Sequence, residues 1–582
     1  MAPAFDPSWP LIAAEELYTE TPNRYSGFAV HRDLGVPTRD GVRLSANLFL
    51  PADGDVEAGG PWPTVLIRQP YGKDYASSMW ARGKYWARKG YACVVQDVRG
   101  AFASDGEWLP FVHEADDGWD TLEWVAEQPW CNGRIGMSGE SYHGYTQWAV
   151  AASGHPNLVC ISPGNTSPDP YLMVYRGGAF SLGIGLWACM MLGGETASAD
   201  GWDPWRLPLT ALDAAMGRAS EVLQEMLRHP SRDAFWEQIN VLPNAAAVNI
   251  PVLHWGGWYD VILQGTLAGW EACAPAREGM GSGADQRLII GPTDHARLPA
   301  VYGASGVGSA ADPGAWCFDH TQRFFDRWLR GDEETPADAA PVKVWVMGAE
   351  RWREAAAWPP SEAAAVAYYL RSGGGAATTA GDGRLTLAPP DDEPADTFVY
   401  DPEKPVDAWL AASGWDLNWC PKDRRAVEQR GDVLVYTTEE LAADLEVTGL
   451  LTLTLFAASS APDTDFTAAL VDVFADGYAH HVQEGIIRSR YRHSERAPEL
   501  LSPGSVQEYT IDLLATSYLF KRGHRLRLEI SSSNFGRFDR NPNSGGPFAA
   551  DTICHTARQT IHHSRAYPSH ITLPVIAADR QA

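Results

Sequence analysis

RIGMSGESYHGYTQW, residues 134–148, is the stretch on which the fold of the first half of the chain turns. Its opening, RIGMS, is a short apolar run of strand length, and the residues from about His143 to Ala152 carry a helical pattern. Gly139 and Gly144 flank the junction, where glycine lets a backbone bend tightly. A strand that turns abruptly into a helix holds the residue at the turn in the open, beside the first N–H groups of the helix. Two serines compete for that place. Ser138 ends the strand and is expected to be buried or to run along the sheet, whereas Ser141 stands on the turn. A strict G-x-S-x-G pattern asks for glycine at 143, where this chain has His143, so the pattern alone leaves an ordinary Gly/Ser turn open.

Upstream, Ser45–Pro51 (SANLFLP), Thr64–Arg68 (TVLIR) and Tyr91–Asp97 (YACVVQD) read as strands, and Ser77–Lys89 and Ala115–Glu127 as helices. Strands alternating with helices predict a largely parallel α/β sheet. From residue 165 to 249 helical spacing replaces strand signals, with helices expected within Leu209–Leu227 and Arg232–Leu242. Strand logic returns at Ile250–Trp255 (IPVLHW) and Gln286–Gly291 (QRLIIG), followed by a helix at Thr321–Arg330. A helical cap inserted into an α/β domain accounts for this order.

After Pro341 the chain is β-like. Val342–Met347, Ala365–Leu370, Val433–Tyr436, Leu450–Ala457, Ala468–Phe474, Ser505–Ile511 and Arg525–Ser531 are short strand-like runs separated by Gly, Pro and Asp. That spacing predicts an antiparallel sandwich or jelly roll. SGGGAATTAGDG, 372–383, has the composition of a flexible linker but is expected to be a long hairpin tip, because strand-like sequence flanks it. The expected division is therefore 1–164 and 250–340 for the α/β domain, 165–249 for the cap, and 341–582 for the β domain. The length of 582 residues agrees, since one hydrophobic core stops growing near ~250–300 residues.

The chain carries 46 basic and 73 acidic residues, a net charge of −27. A surface that acidic repels phosphate backbones and anionic lipid, so nucleic acid and membranes are not expected partners. The eight cysteines lie far apart with no C-x-x-C pair, and neither a metal site nor a disulfide framework is expected. MAPAFDPSWP at the N-terminus lacks a basic and an apolar signal segment, which points to a cytoplasmic protein. Homo-oligomerisation is left open.

A serine hydrolase of this architecture places its acid and its base after the nucleophile, in the order Ser, Asp/Glu, His. Asp260 follows PVLHW through GGWYD, and His295 follows QRLIIG through GPTDH. Each lies just beyond the C-terminal end of a strand, where open α/β sheets gather their sites. Asp294 is a weaker acid candidate, because adjacent residues rarely face each other, and His254, inside its strand, is expected to be packed.

RDGVRL (39–44), RQPYGK (68–73), DVRGAFASDGEW (97–108), GESYHG, GGWYD and GPTDH together resemble the cocaine esterase / glutaryl acylase / X-Pro dipeptidyl-peptidase group of serine hydrolases. DPEKPV (401–406), RRAVEQRGDVLVYTTEEL (424–441), DTDFTAALVDV (463–473) and GHRLRLEISSSNFGRFDRN (523–541) resemble its C-terminal domain. The resemblance implies an α/β-hydrolase domain with a helical cap and a jelly roll, and no cofactor. It implies Ser141 as nucleophile, His295 as base and then acid, and Asp260 as the group that orients the imidazole. The group accepts a residue other than glycine at the position of His143. The oxyanion hole it implies combines the Tyr142 N–H with the Tyr71 hydroxyl.

Members acting on α-amino acid esters hold the substrate ammonium with carboxylates two and three positions after the acid, where this chain has Ile262 and Leu263. An ammonium against apolar side chains is costly, so the implied substrate is an ester with an uncharged, apolar or aromatic acyl group. The resemblance also nominates pocket residues: Tyr175, Phe180 and Trp187 from the cap, with Ile262 beside the acid. Trp409, Leu410, Trp415 and Trp419 are nominated from the β domain. Thr293 stands where the group usually has an aromatic residue. Two competing expectations remain, an amide hydrolase on the same three residues and a catalytically silent binding protein.

Overall fold

The computed structural model describes residues 21–74, 79–192, 195–196, 199–217, 219–273, 285–295, 315–335, 340–407 and 423–577. Ala92–Asp97 (ACVVQD) is buried at every position, as the apolar run requires of a strand covered on both faces. Among the described residues an eleven-stranded sheet forms around it. The order is Gly27–Pro37, Arg43–Asp53, Ala92–Asp97, Trp62–Gln69, Cys131–Glu140, Leu158–Gly164, Val252–Tyr259, Gln286–Asp294, Val342–Val346 and Arg351–Ala355, with Val56–Glu57 beside Arg43–Asp53. Every neighbouring pair from Ala92–Asp97 to Val342–Val346 is parallel. The strands outside that span pair antiparallel. Helices Met79–Arg88, Glu114–Ala126, Tyr142–Ala151, Leu263–Ala272 and Ala315–Phe325 accompany the sheet, giving the expected α/β layering.

The 165–249 segment departs from the long helices expected of it. Helices Tyr171–Val174 and Leu182–Met190 come first, Leu209–Ala211 and Ala214–Met216 are single 3-10 turns, and within the two stretches expected to be helical the helices are confined to Glu221–Arg228 and Ala234–Glu237. The reason is local side-chain chemistry. The Asp213 carboxylate takes the Ser220 N–H at 2.9 Å and the Gln224 amide at 3.0 Å, which folds the chain back on itself. Ser220 then caps the Glu221–Arg228 helix by accepting the Leu223 N–H, and Asp233 caps the next by accepting the Phe235 N–H. The helix expected at Thr321–Arg330 starts earlier, at Ala315, and its last turn, Asp326–Arg330, is wound as a π-helix.

Among the described residues a second eleven-stranded sheet system, almost wholly antiparallel, occupies Ala363–Ile576. The 372–383 segment is a hairpin tip, with Tyr369, Leu370 and Arg371 opposite Thr386, Leu385 and Arg384. The β domain shares a hydrophobic core with the end of the Val252–Tyr259 strand, through Trp258, Tyr259, Leu263 and Trp270. The Trp258 indole N–H donates to the Trp345 carbonyl at 2.8 Å. The cap is fastened to the same domain, since Arg176 donates to the Glu484 and Asp512 carbonyls and the Phe180 N–H donates to Asp539. Among the described residues no helix is long and apolar enough to cross a membrane.

Candidate active site

The Cys131–Glu140 strand runs straight into the Tyr142–Ala151 helix, and Ser141 alone makes the turn, with φ 60° and ψ −127°. A non-glycine residue held at positive φ is strained, and the surroundings must over-determine it. The Ser141 N–H donates to the carbonyls of Gly164 and Asn165 at 3.0 and 3.1 Å. Its own carbonyl accepts the Gly144 and Tyr145 N–H groups and the Thr166 hydroxyl at 2.7 Å. Packing explains why His143 is tolerated. A Cβ on Gly139 would lie 2.5 Å from the His143 Cβ, and one on Gly144 would lie 2.5 Å from the Thr166 Cβ. The close approach that the turn demands is made at 139 and 144, so position 143 can carry a ring. Ser138 is buried in the strand, and Ser141 is half-buried.

Three segments converge on Ser141. Its Oγ lies 3.1 Å from His295 Nε2, and His295 Nδ1 lies 2.7 Å from Asp260 Oδ2. The other Asp260 oxygen accepts the Ile262 N–H at 2.5 Å. Burial of the imidazole pulls its pKa down. The facing Asp260 carboxylate, helped by Glu140 and Asp294, outweighs this and leaves His295 above its ordinary value. Glu140 is itself buried beneath the turn, where it holds both terminal guanidinium nitrogens of Arg82. This arrangement can take a proton from the hydroxyl at Nε2 while Asp260 holds Nδ1–H in place.

Tyr71 is half-buried, with burial pushing its phenol up to about 12 against the opposing influence of the neighbouring Ser141 and Trp187. A hydroxyl that stays protonated beside the nucleophile is suited to donate to a developing oxyanion. Tyr142 supplies a backbone N–H from the first position of its helix, where no carbonyl of the same helix can meet it. Its side chain points elsewhere, donating to Glu114 and accepting the Phe111 N–H at 2.8 and 2.9 Å.

The nominated pocket residues fall into three groups. Trp187 lies beside the Tyr71 hydroxyl, with its ring 6.4 Å from that of Tyr142 and 6.2 Å from that of Phe111. Tyr175 and Phe180 lie in the packed interior of the cap, and the Tyr175 hydroxyl is spent on the Met226 carbonyl at 2.9 Å. Ile262 and Leu263 are buried beside Asp260, as apolar side chains in the positions read from the sequence. Trp409, Leu410, Trp415 and Trp419 lie outside the described residues. Asp294 is buried, and His254 is packed between Trp148 and Trp270 with Nε2 on Gln286, as expected of a strand residue.

Sequence reasoning missed Asn165 and the aromatic wall. Asn165, at φ 40°, ties the site together. Its carbonyl receives the Ser141 N–H, its Oδ1 accepts the Gly257 N–H at 3.1 Å, and its Nδ2 reaches the Asp294 and His295 carbonyls at 3.4 Å. Phe111, at φ 70°, stacks on Tyr142 at 4.8 Å, and Trp108 meets Trp187 edge-on at 6.1 Å. The apolar run LPFV beside Trp108 is the only local hint of that wall. Among the described residues no group of three or more His, Cys, Asp or Glu side chains is arranged to hold a metal ion.

The model of the X-Pro dipeptidyl-peptidase (S15 family) matches residues 40–297, and that of the X-Pro dipeptidyl-peptidase C-terminal non-catalytic domain matches 335–572. The chain is 38% identical to the cocaine esterase of Rhodococcus sp. (strain MB1 Bresler), over 94% of this chain and 99% of that one. It is 28% identical to a putative serine esterase of Mycobacterium bovis, over 95% and 96%. Among solved structures, an aminopeptidase from a marine sediment Thaumarchaeota archaeon superposes with a TM-score of 0.83 at 25% identity, covering 99% of this chain and 98% of that one. An α-amino acid ester hydrolase gives 0.83 at 26%, covering 97% of each. With its turn serine, its α/β sheet and its C-terminal β domain matched along nearly the whole length, the chain belongs to the cocaine esterase (CocE/NonD) family of α/β serine hydrolases.

Proposed function

We propose that Ser141, His295 and Asp260 hydrolyse carboxylic esters of apolar or aromatic acids through an acyl-enzyme. The observation that carries this reading is the unbroken chain from Ser141 Oγ to His295 Nε2 at 3.1 Å and from Nδ1 to Asp260 at 2.7 Å, set on the strained turn. Ser141 attacks the ester carbonyl while His295 takes its proton. The tetrahedral oxyanion is held by the Tyr71 hydroxyl and the Tyr142 N–H. His295 then returns the proton to the leaving alcohol, and water enters by the same route to release the acid. Trp187, beside the Tyr71 hydroxyl and backed by Phe111 and Trp108, offers the acyl group an aromatic surface.

The site draws on the α/β domain expected at 1–164 and 250–340, whose sheet runs on through Val342–Val346 and Arg351–Ala355, so the β domain expected from 341 is better begun after Ala355, with the cap at 165–249. The substrate is a small molecule, and the net charge of −27 argues for action away from nucleic acid and anionic membranes. Ser141→Ala is expected to abolish turnover of p-nitrophenyl esters while the melting transition stays; retained turnover would move the nucleophile elsewhere. Labelling of Ser141 by a fluorophosphonate excludes the binding-protein alternative, because only an activated serine reacts.

Amide hydrolysis is the second reading, favoured by the S15 family match and the likeness to an aminopeptidase. Against a free α-amine stand Ile262 and Leu263, both apolar and buried beside the acid. Matched esters and anilides with and without an α-amine separate the two. The ester without the amine is expected to be the fastest, and a preference for the amine-bearing anilide would reverse the assignment.

A further inference from the structure

Tyr71 follows Pro70 at the end of the Trp62–Gln69 strand, in a loop that would leave its hydroxyl free to wander unless something fixed the turn. Two buried side chains, neither hydrogen-bonded to Ser141, His295 or Asp260, do so. Gln69 and Asp97 are register partners at the C-terminal ends of adjacent parallel strands, so they stand side by side on one face of the sheet. Gln69 Oε1 accepts the Tyr71 N–H at 2.5 Å, and Gln69 Nε2 donates to Asp97 Oδ1 at 2.7 Å. The same Asp97 oxygen accepts the Lys73 N–H at 2.6 Å, and Asp97 Oδ2 takes the Ala103 N–H at 3.4 Å. Tyr71 is thus gripped on one side through Gln69 and on the other through the backbone of Lys73. The Lys73 ammonium is anchored in turn on Asp33 and Asp74, at 2.7 and 2.6 Å.

Keeping a carboxyl group at this depth is costly. Burial pushes Asp97 up to about 7, against the Lys73 N–H, the Lys73 ammonium and the Ala103 N–H, which favour the charged form, while Asp74 works with burial. What the position gains is a set of N–H donors belonging to the turn that carries Tyr71 and to the loop after Asp97. We propose that Gln69 and Asp97 are positioning residues, a two-residue clamp that fixes the Tyr71 hydroxyl where the oxyanion forms and so controls turnover without touching substrate. The proposal rests on the reading of Tyr71 as an oxyanion donor.

A double-mutant cycle on the full-length enzyme tests it, with kcat and KM measured on p-nitrophenyl butyrate and active enzyme counted by fluorophosphonate titration. Tyr71→Phe removes the hydroxyl and is expected to lower kcat by ~10²–10³, the scale for one lost oxyanion donor. Gln69→Met, of similar length but unable to grip either partner, is expected to lower kcat by ~10–10² with KM moved less than about threefold, because only transition-state binding is lost. The double variant is expected to be no slower than Tyr71→Phe within about twofold, since a clamp acting through a hydroxyl has nothing to hold once that hydroxyl is gone.

Losses that multiply in the double variant would overturn the clamp while leaving Tyr71 as donor, because a merely structural defect slows both backgrounds alike. A Gln69→Met kcat within about twofold of the parent would also overturn it. A parental rate in Tyr71→Phe would instead remove the oxyanion reading, and the clamp with it. Should Gln69→Met not fold, Gln69→Glu carries the same cycle, keeping the acceptor for the Tyr71 N–H and losing the donor to Asp97.

Discussion

Replacing Asp260 by Asn changes one atom in a buried, close-fitted site, and the structure dictates which way the new amide faces. Asp260 Oδ1 accepts the Ile262 N–H at 2.5 Å, while Oδ2 accepts His295 Nδ1–H at 2.7 Å. An Asn amide nitrogen cannot sit opposite the Ile262 N–H, so its oxygen stays there and its NH₂ turns to His295. The imidazole must then accept at Nδ1, which puts its proton on Nε2 and points an N–H at Ser141 Oγ. The base now occupies the wrong tautomer and cannot take the serine proton. The expected loss in kcat is about 10⁴, the size this substitution has in a serine protease built on the same logic. The side chain is isosteric and remains hydrogen-bonded, so the fold is retained. The assay is kcat on p-nitrophenyl butyrate at pH 7.5, with near-UV circular dichroism and a melting curve on the same sample. A folded Asp260→Asn enzyme within tenfold of the parent would refute the reasoning and send the search for the acid to Asp294.

The acid limb of kcat/KM should fall above pH 6.5, because a protonated His295 cannot act as base and Asp260 holds it above its ordinary value. In Asp260→Asn the charge is gone while burial remains, so the limb should move to lower pH; a limb that stays would assign it to another group. Asp97, at about 7, titrates in the same window, and a limb belonging to His295 survives Asp97→Asn. Gly144→Ala puts a methyl 2.5 Å from the Thr166 Cβ, and Thr166 holds the Ser141 carbonyl. An overpacking cost of about 1–3 kcal/mol should therefore appear as a lower melting temperature together with a reduced kcat, and a variant matching the parent in both would show that the turn tolerates the shift. In the β domain, His563 lies 2.9 Å from Asp396 and is held above its ordinary value. Burial lowers it, but the Asp396 hydrogen bond and charge win. Its contribution is fully present below pH ~6.5 and lost as pH rises through the folded value, so His563→Gln should lower the melting temperature more at pH 5.5 than at pH 8.5. An equal drop at both values would remove the charged pair from the account.

The elements legible in the sequence are those whose reason is local. Ala92–Asp97 and Trp62–Gln69 announce themselves by continuous burial, and the 134–148 stretch by glycines at a strand–helix junction. Gly27–Pro37 is not legible as a strand because it is an antiparallel outer strand in which only Val36 is buried, and its reason is its partner Arg43–Asp53 and not its own pattern. Helical spacing marks the stretches of the cap but not where its helices start and stop, because those limits depend on Asp213 and Ser220 reaching backbone groups several residues away. At the site, order along the chain puts forward Ser141, Asp260 and His295, and the family resemblance supplies their roles. Trp187 came only from the family resemblance, which equally nominated Tyr175 and Phe180, two residues the fold commits to the interior of the cap. Nothing in composition separates an aromatic side chain that walls a site from one that fills a core.

Asn165 shows why such a residue escapes a reading along the chain, and what losing it should do. No motif marks it, because its partners come from the turn at 141, the strand end at 257 and the segment at 294–295. Its backbone hydrogen bond survives substitution, so Asn165→Ala deletes the ties to the acid and base segments and adds the strain of an alanine at φ 40°, which Asn and Asp tolerate better. Removing those ties leaves the Gly257 N–H buried without its acceptor, a cost of about 1–3 kcal/mol. The Gly257 N–H lies three residues from Asp260, so relaxation there displaces the carboxylate from His295 before it disturbs Ser141. Asn165→Ala should therefore lower kcat more than it lowers the rate of fluorophosphonate labelling when each is measured at high pH, where His295 is neutral without help. Asn165→Asp keeps an acceptor for Gly257 and should recover most of the loss. If Asp recovers nothing while Ala folds normally, the weak Nδ2 contacts at 3.4 Å matter more than the 3.1 Å bond, and the coupling between nucleophile and base runs through the carbonyls of 294 and 295.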